Sequence, residues 1–251
     1  MSKLKARNTS VNADLVVFDK DGTLIDFHTL WGPRVERAIK AICSSLGWSQ
    51  PLIDQLSAAL GYDPQTARVV SQGPLATAPI SELEIVVATA LFQHKVSWER
   101  AKDLACGHFG PVMSALPTPA EINPLGDVRA AIVRLKSSGI QVAIATSDDR
   151  APTEAALREL NLTQTVDLVL CADDPDTPSK PDPSVLHYIS QQLVVSIDRT
   201  VMVGDTVSDL KMGRQAGVAL TVGITGGADN TIELESHADV LLSSVDGLVP
   251  A

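Results

Sequence analysis

The chain has 251 residues, 45% hydrophobic and 20% charged, with a formal charge of -10. This is the composition of a soluble globular protein, long enough for one large core or for a core with a smaller inserted domain. An acidic balance with no Lys/Arg cluster argues against nucleic acid as a partner, and every apolar run is too short to cross a bilayer.

Three widely spaced cysteines, Cys43, Cys106 and Cys171, favour neither a disulfide framework nor a zinc site, so a reducing, cytoplasmic setting fits. Residues 1–13 carry Lys3, Lys5 and Arg7 with no acid and no apolar core. They do not read as a secretory signal but as a frayed tail, with a weak organellar presequence as the alternative.

The run Leu-Val-Val-Phe-Asp-Lys-Asp-Gly-Thr over residues 15–23 organises the rest. Four consecutive apolar residues suit a strand buried on both faces, and Asp21-Gly22 is where it would stop. Alternation along the strand places Asp19 and Asp21 on one side and turns Lys20 to the other. Two carboxylates so close repel, which implies a metal, an acid/base role or both. Taken alone, a hairpin turn with Asp19 exposed is the plainer alternative.

Val35, Ile39, Ile42 and Leu46 recur at helical spacing over 31–46, and Gly47 supplies the stop. Ser81 to Glu84 has the capping-box pattern and opens a second apolar helix, and a third spans 98–113. No alternating strand is evident between 27 and 116. Pro117, Pro119 and Pro124 mark a linker. A helix through Leu125, Val128, Ile132 and Leu135 ends at Gly139. Apolar strands follow at 140–145, 166–170, 201–203, 218–222 and 240–242, separated by helical or turn segments.

Buried strands alternating with helices predict an α/β fold, a Rossmann-like parallel sheet covered by helices on both faces. The first strand belongs to that sheet although about ninety helical residues separate it from its companions. The chain thus divides into an α/β core domain, 1–26 and 120–251, and a smaller all-α cap domain, 27–119, with hinges at 26–31 and 116–123. Ligands of such sheets sit beyond the carboxyl ends of the strands. Polar residues gather there: Asp19 and Asp21; Thr146, Ser147 and Asp148; Gly204 and Asp205, with Asp209 four residues on. Taken singly, Asp209 and the Thr146 or Ser147 hydroxyl also read as helix caps, and Lys180, set among prolines, as a solvated lysine.

Together and in this order, the four motifs resemble the haloacid dehalogenase-like hydrolase superfamily, and its phosphoglycolate-phosphatase-like branch in particular, over about the whole chain. The resemblance implies a Mg²⁺-dependent phosphatase acting on a small phosphorylated metabolite through an aspartyl-phosphate. Asp19 would be the nucleophile and Asp21 the general acid and then base. Thr146 and Ser147 would bind the phosphoryl group, and Lys180 would neutralise charge on it and on Asp19. Asp19, the main-chain carbonyl of Asp21 and Asp205 would hold Mg²⁺, with Asp209 touching it directly or through water. Dehalogenases of the superfamily lack an acid at the Asp21 position, because halide leaves without a proton, so Asp21 favours P–O cleavage. No membrane or obligate protein partner is evident.

Two alternatives keep the same residues or fold: a phosphomutase, and a non-catalytic ligand-sensing relative. Within the helical block, Phe27, His28, Trp31, Arg34 and Arg68 are candidates to shape the pocket, with Arg34 or Arg68 binding a second anion. Packed aromatics and solvated charges are the plainer readings. Gly226-Gly227 reads as a flexible turn.

Overall fold

The computed structural model describes residues 2–47, 50–70, 73–227 and 231–251. The N-terminal segment is not a frayed tail. β1 (Lys3–Ala6) and β2 (Thr9–Asn12) form an antiparallel hairpin, turned by Arg7 at φ 51. β1 also pairs with the last strand, Leu248–Pro250. The cause is visible in Lys3-Leu4-Lys5-Ala6, whose alternate residues Leu4 and Ala6 are fully buried while the lysines face out.

β3 (Leu15–Phe18) is buried along its whole length. The chain then runs through α1 (Phe27–Leu46), α2 (Gln50–Leu60), β4 (Tyr62–Asp63), β5 (Arg68–Val69), α3 (Pro74–Thr77), α4 (Ile80–Gln93), α5 (Trp98–Leu104) and α6 (Gly110–Met113). This stretch departs from the sequence reading in four ways. α1 starts at Phe27, four residues before Trp31, and the carboxylate of Asp26 caps it by accepting from Thr29 N at 2.9 Å. β4 and β5 make a two-residue hairpin, too short to show any alternation in sequence. Ser81 lies inside α4, which Pro79 precedes in extended conformation, so the expected capping box is not formed there. The third helix is interrupted by one π-helical turn, Ala105–Phe109.

After the linker come α7 (Val128–Ser137), β6 (Gln141–Ala145), α8 (Arg150–Glu159), β7 (Leu168–Leu170), α9 (Ser184–Gln192), β8 (Thr200–Gly204), α10 (Val207–Ala216), β9 (Leu220–Ile224), α11 (Thr231–Glu235), β10 (Val240–Leu242) and β11 (Leu248–Pro250). Six strands form one parallel sheet in the order β10-β9-β8-β3-β6-β7. Its two faces bury different residues of the same strands, as the apolar runs require. Val16, Phe18, Val142, Ile144, Val201 and Val203 pack with Ala131, Ile132 and Leu135 of α7. Leu15, Val17, Ala143 and Met202 pack with Val185 and Ile189 of α9 and Met212 of α10.

β3 lies between β6 and β8, with Phe18 opposite both Ile144 and Val203. The three strands therefore end level, and the residues that follow them meet. The two connections to the helical block run side by side there: Asp26 N donates to Asn123 O at 2.8 Å and Leu125 N to Leu24 O at 2.9 Å. Among the described residues no helix is long and apolar enough to cross a membrane.

Candidate active site

Asp19 follows β3 directly, and its backbone N–H still donates to Val203 O at 2.8 Å, which ties the residue to the central strand pair. Its side chain is buried. Lys180 Nζ reaches across from the loop before α9 to lie 2.6 Å from Asp19 Oδ1 and 2.6 Å from Asp209 Oδ1, and 3.4 Å from Ala145 O. Asp209 stands at the third position of α10. It completes a capping box with Thr206, whose hydroxyl donates to Asp209 Oδ2 at 2.7 Å. Helix capping and a place in the polar cluster are therefore one arrangement and not alternatives.

Asp205 is fully buried and accepts from Thr23 Oγ1 at 3.2 Å. Two glycines make room for it. A Cβ on Gly22, at φ 93, would fall 2.0 Å from Asp205 Oδ2, and one on Gly227 would fall 2.2 Å from Asp205 Cβ. Gly227 thus packs closely against Asp205, and the reading of Gly226-Gly227 as only a flexible turn is corrected at Gly227 by this approach.

Carboxylate oxygens of Asp19, Asp205 and Asp209 lie within 4.8 Å of one another. The Asp21 side chain is not in that group. Lys20 Nζ donates to both its oxygens, at 2.7 and 2.8 Å, and to Asp148 Oδ2 at 2.9 Å. Strand alternation would send Lys20 away from Asp21, but β3 ends at Phe18 and its rule no longer applies. Lys20 is 1% exposed. Sequence reasoning leaves Lys20 and Asp148 without a role; the only signal for them is a lysine set between two acids at the end of a buried strand.

The charges are unbalanced. Among the described residues, the five carboxylates of Asp19, Asp21, Asp148, Asp205 and Asp209 gather about the two ammonium groups of Lys20 and Lys180. Burial pushes the Asp19 carboxyl up, and Asp209 and Asp21 add to this against the pull of Lys180. Burial would lower both lysines, yet Asp148 and Asp21 hold Lys20, and Asp19 and Asp209 hold Lys180, above the usual lysine range. Asp148 is likewise raised, by burial first. Asp19 Oδ2 is buried with no donor. Carboxylate oxygens in excess of cations, one of them without a partner, fit a hard divalent ion such as Mg²⁺.

Thr146 and Ser147 follow β6. Thr146 is buried and its Oγ1 accepts from Asp148 N at 3.1 Å, while Ser147 is half-buried. Neither caps α8, which Asp149 precedes. These residues, with Asp19, Asp21, Lys180, Asp205 and Asp209, line a cavity of about 60 Å³. Phe27 and Trp31 of α1 line it too. The other residues singled out in the helical block lie elsewhere. Arg34 is buried, donates to Met113 O and Ala115 O at 3.2 and 2.8 Å, and faces Glu121 at 3.5 Å. Arg68 is exposed on β5, and His28 Nδ1 accepts from Val69 N at 3.4 Å.

The haloacid dehalogenase-like hydrolase family model matches residues 13–217, which include every residue of this cavity. The chain belongs to that family. This hydrolase is 30% identical over 225 residues to "Probable phosphatase IndB" of Dickeya dadantii, covering 88% of this chain and 85% of that protein. It is 24% identical over 237 residues to a phosphoglycolate phosphatase of Agrobacterium fabrum, covering 94% and 91%. A haloacid dehalogenase-like family hydrolase from Streptococcus pneumoniae shares the fold of this one, with TM-score 0.63, 19% identity and coverage of 93% and 95%.

Proposed function

We propose that this hydrolase cleaves a small-molecule phosphate monoester by two displacements, with residues 27–119 acting as a cap over the α/β core. Phosphatases among its relatives support the reaction class. Asp19 attacks phosphorus and becomes the aspartyl-phosphate, which divides one slow displacement into two. Lys180, 2.6 Å from Asp19 Oδ1, offsets the charge that gathers as the nucleophile meets the phosphoryl oxygens. Thr146 and Ser147, at the level end of β6, offer hydroxyl donors to those oxygens.

Asp21, after taking up a proton from solvent, gives it to the departing alkoxide, and the carboxylate so formed then removes one from water. Lys20 holds both of its oxygens and so fixes where that carboxyl starts. The phosphatase reading rests chiefly on Asp19 Oδ2, a buried carboxylate oxygen without a donor, among three converging carboxylates at the cavity. Asp19, Asp205 and Asp209, with the main-chain carbonyl of Asp21, would hold Mg²⁺, which when bound supplies positive charge to the phosphoryl oxygens.

One enzyme assay tests this reading. Phosphate release from p-nitrophenyl phosphate should require a divalent ion, stop with EDTA and return with Mg²⁺. Turnover that ignores EDTA, or no turnover with Mg²⁺ present, contradicts it.

A further inference from the structure

We infer, on the phosphatase reading above, that the preferred substrate is a monoester whose organic part carries no second anionic group. The cavity floor already uses Lys180 on Asp19 and Asp209, and Lys180 is the only cation among the residues that line it. The lining contributed by residues 27–83 is largely apolar: Phe27, Trp31, Leu75, Ile80 and Leu83, with Thr77 among them. Among the described residues of that part of the lining there is no basic side chain to receive a carboxylate or a second phosphate.

Two grooves share lining residues with the cavity. A groove of about 350 Å³ shares Ile80, Thr146, Ser147 and Lys180 with it, and its other charged lining residues are Glu82 and Glu84 from α4 and Asp149 and Asp173 from the core, among uncharged ones. Burial raises the Asp149 carboxyl, and Asp173, Asp148 and Glu84 raise it further against a hydrogen bond from Ser114, so Asp149 lies within reach of the charges on Asp173 and Glu84. A second groove, about 510 Å³, has Lys211, but Glu82 lines it too. Arg34 and Arg68 do not line the cavity or either groove: the first is buried against Met113, Ala115 and Glu121, the second exposed on β5.

A second anion on the substrate would therefore meet apolar carbon in the cavity or the carboxylates of the first groove, and in the second groove Lys211 stands with Glu82. Specificity by repulsion of this kind costs the anionic substrate and leaves a neutral one of the same shape unaffected. Apolar carbon or a ring on the organic part would gain contact with Phe27 and Trp31.

The matched pair 2-phosphoglycolate and 2-phosphoglycolamide, with the same heavy-atom skeleton, isolates the charge. With Mg²⁺, kcat/KM for the amide should exceed that for the acid about tenfold or more, and Glu84→Gln combined with Asp149→Asn should narrow the ratio. Equal or faster turnover of the acid, or a ratio unmoved by the double variant, overturns the inference and leaves the phosphatase reading standing. Failure to hydrolyse either compound or p-nitrophenyl phosphate removes the phosphatase reading, and this inference with it.

Discussion

Replace Lys20 with methionine, which keeps most of the stem and removes the ammonium. The wild-type group is 1% exposed and makes contacts of 2.7 and 2.8 Å to Asp21 and 2.9 Å to Asp148. Without it Asp148, 3% exposed at its side chain, and Asp21, 10% exposed, keep their negative charges with no counter-ion. Removing one partner of a buried ion pair costs about 3–5 kcal/mol, because the charge left behind has lost its hydration.

The cost can be relieved by protonation. Asp148 is already raised by burial, and loss of Lys20, which pulls it down, raises it further. A carboxyl raised in the folded state binds more protons folded than unfolded, so the variant loses stability as pH rises above the unfolded carboxylate range. Urea unfolding at pH 5 and pH 8 reads this directly. The deficit of Lys20→Met should be larger at pH 8, and Lys20→Met combined with Asp148→Asn should recover part of it. A deficit below about 1 kcal/mol at pH 8, or one independent of pH, would refute the view that Lys20 neutralises these two acids.

The glycine cradle makes a second prediction. Gly227→Ala places a Cβ 2.2 Å from Asp205, and either Asp205 or the loop must move. Activity at limiting Mg²⁺ should fall, with part regained at high Mg²⁺; unchanged Mg²⁺ dependence would show that Asp205 has not moved or does not hold the ion. Glu121 carries a third. Burial alone would raise its carboxyl, but bonds from Thr118, Arg37 and the nearby Arg34 bring it down to about 2. A depressed acid stabilises above its unfolded pKa, near 4.5, and loses that effect as pH falls toward 2. Glu121→Gln should therefore lower Tm at pH 7 and by less at pH 3; an equal loss at both would exclude the ion pairs as its source.

How far sequence alone reached depends on how local each feature is. Leu15–Phe18 and the other apolar runs announce buried parallel strands because a strand covered on both faces needs nothing but apolar residues. Asp19, Thr146 and Asp205 were legible as neighbours because ligands gather at strand carboxyl ends, and the level register of β3, β6 and β8 is what brings them together. The two-residue strands β4 and β5 have no period to detect. The β1 to β11 pairing joins the two ends of the chain, and only the faint alternation in Lys3–Ala6 hinted at it. Lys20 was misjudged because a four-carbon stem can turn back once the strand has ended. Gly227 was misjudged because the atom it must avoid, on Asp205, is 22 residues away in sequence.

The account depends most on Asp19 as the nucleophile, and quenched-flow mass spectrometry tests that claim directly. During turnover of a monoester with Mg²⁺, the peptide containing Asp19 should carry the added mass of one phosphoryl group, lost again as phosphate appears, and Asp19→Asn should abolish both. Phosphate released while that peptide stays unmodified, with Asp19→Asn still turning over, would contradict it.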